Sequence, residues 1–144
     1  MLSRLIYASE VAQDLSPEGL QALLTTARQC NRLHDVSGMM AFDSRYFLQA
    51  VEGSREALSQ LYSNLVRDRR HKRLVLLSFE SIEQRHFSDW TMGFAAADAS
   101  RRRLYLRHGS SARFDPYQLK AAGALALLME LSAEVEQEAE ALSA

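Results

Sequence analysis

The residues of this chain best suited to chemistry are a tyrosine and a glutamine set inside apolar runs. Tyr7 lies in Arg4-Leu5-Ile6-Tyr7-Ala8-Ser9, and Gln49 in Phe47-Leu48-Gln49-Ala50-Val51. Both runs read as strands from their length and apolar content. Side chains alternate along a strand, which groups Phe47, Gln49 and Val51 and opposes them to Tyr46, Leu48 and Ala50. Both groups are largely apolar, so Gln49 is expected inside, where an amide without partners costs about 1–3 kcal/mol. Tyr7 poses the same question one strand away. Two answers remain open from the residues alone. The phenol and the amide satisfy each other as a structural pair in the core, or they converge on a polar ligand held between a sheet and its helices.

Other chemistries find less support. His34, His71, His86 and His108 are dispersed, without the paired spacing of a helical metal site. Cys30 is the single cysteine, which excludes an internal disulfide and a Cys-rich zinc site. Ser9, Ser37 and Ser54 lack the G-x-S-x-G setting of a hydrolase nucleophile. A phosphate-cradling loop with an Arg after the first strand is also missing, since that stretch reads Ala8-Ser9-Glu10-Val11. The chain is therefore not expected to be an enzyme. Lys plus Arg number 17 against 18 Asp plus Glu, a formal net charge of -1, which argues against a nucleic-acid binder. No apolar run reaches the roughly 18 residues of a membrane span, and no signal peptide opens the chain. The expectation is a cytoplasmic protein of one domain, long enough at 144 residues to bury its own core.

The elements that must position Tyr7 and Gln49 follow from caps and periodicity. Ser16-Pro17-Glu18 starts a helix carrying Leu20, Leu23, Leu24 and Ala27 on one face, fading near Asn31. Val36–Phe42 and Arg45–Glu52 read as a hairpin about Asp43-Ser44. Ser54 caps a second helix with Leu58, Leu61, Tyr62 and Leu65. Leu74–Ser81 and Trp90–Ala95 are further strands, the latter with Trp90, Met92 and Phe94 on one face. The order β-α-β-β-α-β-β predicts an α+β, ferredoxin-like sheet with two helices on one face. Residues 1–97 form this core and 98–144 a helical extension packing on or near the sheet. Arg101–Arg107 is expected to be helical, and Arg101-Arg102-Arg103 a solvated face or an interaction patch. A helix is predicted over Tyr117–Leu131 after Asp115-Pro116. The glutamates from Glu130 onward read as a solvated end, a frayed tail or a partner for basic surface.

The chain resembles the BLUF family of blue-light photoreceptors that use FAD. RLIYAS at 4–9, Asn31, VSGMMAF at 36–42, FLQAVEG at 47–53, DRRH at 68–71 and F-x-D-W-x-M-G-F at 87–94 carry the likeness, in that order. The resemblance implies a non-covalently bound flavin, FAD, with FMN or riboflavin able to substitute. Tyr7 matches the photochemical electron and proton donor, and Gln49 the amide between that tyrosine and the flavin. Asn31 matches the asparagine at the flavin's polar edge near C4=O and N3. Asp68, Arg70 and His71 fall where the family contacts the flavin and its side chain. Trp90 and Met92 match the pair whose positions are discussed as the output switch. Asn64 stands where some members carry a basic residue, and it retains an amide donor for the flavin O2 edge. Cys30 invites comparison with the cysteinyl adduct of LOV domains, but the strand order differs and it reads as a small residue near the pocket.

The implied mechanism is light-driven transfer of an electron and a proton from Tyr7 through Gln49, leaving Gln49 rotated or tautomerised and the absorption slightly red-shifted. The chain ends soon after the sensor, so output is expected through a separate downstream protein or a change of homo-oligomer, dimer or larger. Apolar area around Ala121, Leu125, Leu128 and Met129, or left uncovered at Tyr46 and Leu48, would favour a dimer. Family analogy extends to an effector of cyclic-dinucleotide signalling. The competing reading is a ferredoxin-like module that binds a small regulatory ligand without photochemistry.

Overall fold

Hydroxyl caps and one tight turn set the main boundaries of the chain. Ser16 Oγ accepts from the Gly19 amide at 3.0 Å and opens α1 (Pro17–Leu33) with Pro17 at its first position. Ser54 Oγ accepts from the Ala57 amide at 3.1 Å and opens α2 (Arg55–Arg67). Between β2 (Ser37–Phe42) and β3 (Tyr46–Ser54), Asp43 Oδ1 accepts from the amides of Arg45 and Tyr46, and Ser44 takes φ 80. An acceptor aspartate and a left-handed residue are what a short hairpin loop requires. The computed structural model describes residues 1–143.

With β1 (Leu2–Val11), β4 (His71–Ser81) and β5 (Gly93–Ala96), the strands form one sheet in the order β4-β1-β3-β2-β5. All neighbours are antiparallel except β2 and β5. This is the expected ferredoxin-like α+β arrangement with one added strand. Alternation sorts β1 and β3 cleanly. Leu5, Tyr7, Phe47 and Val51 face Leu24 of α1 and Leu58 of α2. Ile6, Leu48 and Ala50 face the opposite side, where Leu104, Ala124, Leu127, Leu128 and Leu131 cover them. Gly38 of β2 is required by close approach, since a Cβ there would meet the Ala50 carbonyl oxygen at 2.4 Å.

The covering layer consists of α3 (Arg102–His108) and α4 (Ala121–Ser143). The expected helix over Tyr117–Leu131 is therefore corrected. Asp115 and Pro116 start only a 3₁₀ turn, Pro116–Gln118, after which Leu119 is extended. Tyr117 is drawn out of helical register: its hydroxyl donates to the Arg73 carbonyl at 2.8 Å, and the Arg73 guanidinium sits 3.8 Å over its ring. The acidic end is not frayed but helical. Arg101 is 8% exposed and is not a solvated face: it donates to the Ala96 carbonyl and pairs with Glu134 and Glu138. Arg103 pairs with Glu134, and Arg107 and His108 meet Glu130, so the basic and acidic stretches satisfy each other within the chain. β4 also begins earlier than expected, at His71, taking in part of the charged stretch.

On the α4 side β3 carries Glu52, 0% exposed, a carboxylate that the sequence reading took as the end of a strand. Its register partner Arg4 donates to it through Nε at 2.9 Å. The amides of His86 and Phe87 donate to it at 2.8–3.0 Å, which fixes the bend after β4. Arg4 has a second carboxylate, Glu80, only at 3.8 Å. Glu52→Gln leaves the buried Arg4 charge without its close partner, a loss of about 3–5 kcal/mol expected in urea unfolding. A change below about 1 kcal/mol would show that the pair does not hold the fold.

Candidate functional site

Because α1 and α2 lie on the same face of the sheet, a cavity of about 360 Å³ opens between them above β1, β2 and β3. Leu23, Ala27, Met40, Phe47 and Leu61 give it apolar walls, while Asn31, Asn64, Asp68, Arg70 and His71 supply polar groups. Tyr7 and Gln49 face each other in register across β1 and β3 and both line the cavity. The Tyr7 hydroxyl donates to Gln49 Oε1. The amide nitrogen of Gln49 in turn donates to the thioether sulfur of Met92 at 3.4 Å. Both the structural pair and its opening onto a ligand-sized space are therefore present. Burial pushes the Tyr7 phenol well above its ordinary value, and the charge of Asp68 adds to that.

The helix ends and the turn after α2 complete the polar rim. Asn31 Nδ2 donates to the Thr91 carbonyl at 2.6 Å, leaving its remaining amide capacity beside the cavity. Gln60 donates to Asn64 Oδ1 at 3.2 Å, so the donor end of Asn64 remains uncommitted to that contact. Arg70 forks onto Asp68, with Nη2 at 2.7 Å from Oδ2. The Arg70 hydrogen bond holds the Asp68 carboxyl below the usual carboxylate range against a partial burial that opposes it. His71 Nε2 donates to the Leu65 carbonyl at 2.7 Å.

Trp90 and Met92 do not share a strand face, which corrects the expected strand over Trp90–Ala95. β5 starts only at Gly93: the Trp90 carbonyl still accepts from β2, but those of Thr91 and Met92 are taken by side chains of α1. The Gly38 amide donates to the Trp90 carbonyl at 3.0 Å, Asn31 to that of Thr91, and Arg28 Nε to that of Met92 at 3.0 Å. Met92 is 2% exposed and reaches Gln49, whereas half-buried Trp90 stands outside the cavity and covers Gly93. Cys30 lines the cavity with an exposed residue surface.

Sequence reasoning missed Arg28, whose only signal was a basic residue on the helix that carries Asn31. It also missed Ser9 as a member of the site. Ser9 lines the cavity, and its buried Oγ has no hydrogen-bond partner. Among the described residues no group of His, Cys, Asp and Glu is placed to hold a metal ion. No helix among them is long and apolar enough to cross a membrane.

The chain is 30% identical over 135 residues to the photoactivated adenylate cyclase subunit beta of Euglena longa, covering 88% of this chain and 16% of that protein. It thus spans about a sixth of that relative's length. Among solved structures, BlsA in its ground state superposes with a TM-score of 0.82 at 28% identity, covering 91% of this chain and 87% of that one. BlrP1 of Klebsiella pneumoniae, solved with FMN and cyclic diGMP, gives a TM-score of 0.63 at 34% identity, over 67% of this chain and 26% of the other. Residues 2–93 match the family described as BLUF, sensors of blue-light using FAD. With more than half of the chain inside that match, the chain belongs to the BLUF family, whose domains are non-enzymatic sensor modules with flavin as chromophore.

Proposed function

We propose that the cavity between α1, α2 and the sheet binds oxidised flavin non-covalently, FAD first among the flavins, and that Tyr7 and Gln49 form its light-driven switch. The observation that carries this reading is the relay from the Tyr7 phenol to Gln49 and on to Met92, with its first two members on the cavity wall. The residues present suit the chromophore. A cavity of about 360 Å³ falls within the roughly 300–1,000 Å³ of small-molecule sites. Its apolar walls match the faces of a flat ring system. Asn31, Asn64, Arg70 and the unpartnered Ser9 hydroxyl offer donors for polar edges.

A bound flavin supplies absorption of blue light and an acceptor for one electron. The protein's part is to control one proton. Tyr7 stays a neutral phenol because burial, and then the Asp68 charge, disfavour phenolate. Its proton therefore does not leave alone. Removing an electron from a phenol makes its O–H strongly acidic, so the proton follows the electron along the existing hydrogen bond toward Gln49 Oε1. Gln49 has an acceptor at one end and two donors at the other. It restores pairing either by turning its amide, or by keeping that proton on Oε1 while Nε2 gives up one of its own, the proton that later returns to Tyr7. When the electron and proton return to Tyr7, Gln49 remains rearranged with no bond to the chromophore made, and Met92 has lost or changed its donor. The site is thus a switch without turnover.

Met92 directly precedes β5, so rearrangement at Gln49 reaches the sheet edge and the α4 layer behind it. In this reading the signal passes in the cytoplasm to a separate effector protein, directly or through a homo-oligomer. The light-regulated cyclase among the relatives supports an effector of nucleotide signalling. Under this reading the core of residues 1–97 is the sensor and residues 98–144 are the layer that the effector reads.

The purified chain should be yellow, and blue illumination should move its flavin band reversibly to the red. Bleaching of the band would instead indicate flavin reduction or a Cys30 adduct, and a colourless protein after reconstitution with FAD would favour a regulatory ligand other than flavin. Tyr7→Phe and Gln49→Leu should each still bind flavin yet lose the red-shifted state; a normal photocycle in either variant removes that residue from the switch. Asn31→Ala loses a cavity amide and the Thr91 tether together, so flavin affinity should fall about tenfold in a fluorescence titration. An unchanged affinity and dark spectrum would exclude Asn31 from the site.

A further inference from the structure

We propose that the Ser9 hydroxyl is a further flavin-binding group of this site, one whose hydrogen bond is completed only by the bound chromophore. The inference rests on the flavin reading above and deepens it by giving one residue of the cavity wall a defined role. Ser9 lies two positions after Tyr7 on β1 and pairs in register with Phe47, so it shares the helix-facing side with both. It is 1% exposed and belongs to the cavity wall. Its Oγ has neither a protein partner nor appreciable contact with solvent. The side chains near it on that face offer no remedy. The Tyr7 phenol is committed to Gln49, Phe47 is apolar, and the Asp68 carboxylate is engaged by Arg70.

An orphaned buried hydroxyl destabilises a protein, and in a cavity wall the missing partner can come from a ligand. Flavins present carbonyl oxygens, ring nitrogens and a hydroxylated side chain, any of which pairs with a serine. A second orphan provides an internal control. Ser78 Oγ of β4 is also buried without a partner, but Ser78 is not part of the cavity wall. The two serines should therefore behave alike without flavin and differently in its presence.

The test uses the full chain stripped of flavin, as wild type, Ser9→Ala, Ser9→Cys and Ser78→Ala, with FAD affinity from fluorescence quenching and flavin-free stability from urea unfolding. Ser9→Ala should bind FAD about five- to tenfold more weakly while its flavin-free unfolding midpoint stays the same or rises. Ser9→Cys, similar in shape but a weaker donor, should fall between wild type and Ser9→Ala. Ser78→Ala should leave affinity within about twofold of wild type. Equal affinity in Ser9→Ala, or an equal loss in Ser78→Ala, overturns the proposal. A flavin-free Ser9→Ala that is less stable or unfolded also overturns it, because the hydroxyl then has an internal partner. Failure of the wild type itself to bind FAD overturns the flavin reading rather than the role of Ser9 within it.

Discussion

A strand covered on both faces has no solvent side on which to place a polar residue, and β3 carries two such residues. Glu52 points toward the α4 side and Gln49 toward the helices, and each is buried. Much of the remaining arrangement follows from how the two are satisfied. Glu52 is saturated: one guanidinium and two main-chain amides hold its carboxylate and thereby fix the bend that leads toward β5. Gln49 is held by a phenol and a thioether, the second a weak acceptor. One buried group is held by charge and the other by a neutral pair and a weak acceptor. A saturated carboxylate and a more weakly held amide therefore lie three residues apart on the same strand.

The sequence was most readable where one residue type has one local purpose. Ser16 and Ser54 announce their helices, Asp43 and Ser44 their turn, and alternation separates Tyr7 from Ile6 and Gln49 from Leu48. It was least readable where a partner comes from far along the chain. Trp90, Met92 and Phe94 alternate like a strand, but the carbonyls of Thr91 and Met92 are claimed by the Asn31 and Arg28 side chains, which interrupts the ladder that the Gly38 amide of β2 begins with the Trp90 carbonyl. Asp115-Pro116 is a genuine start signal, yet Tyr117 is more strongly occupied with Arg73. The glutamates of α4 look solvated until Arg101, just before α3, and Arg103 and Arg107 within it stand beside them. The cavity polar residues were found through the family likeness, whereas Ser9 becomes visible only when buried atoms are asked for their partners.

The covering layer is joined to the sheet by charge as well as by apolar contact. Arg101 ties that layer to the sheet edge, because its guanidinium bonds the last carbonyl of β5 and the carboxylates of α4 at once. Such a residue is well placed to hold a helix to a strand end, since charge-assisted hydrogen bonds in a partly dry setting are stronger than those at an open surface. The Tyr117–Arg73 contact makes a second attachment at the far edge of the sheet, on β4. The extension is thus fastened at opposite edges of the same sheet.

The two edges differ in stiffness. At one side, β4 pairs with β1 along most of its length. At the other, β5 is four residues long and joins the sheet through parallel bonds to β2, the pairing that is slightly less stable per residue. Resistance to local opening scales with such pairing and packing. The molecule therefore has a rigid frame and a compliant hinge side, and Met92 sits at the root of the compliant side. A displacement too small to disturb the frame can be taken up at this margin, so the sheet yields first at its shortest strand, which begins one residue after Met92.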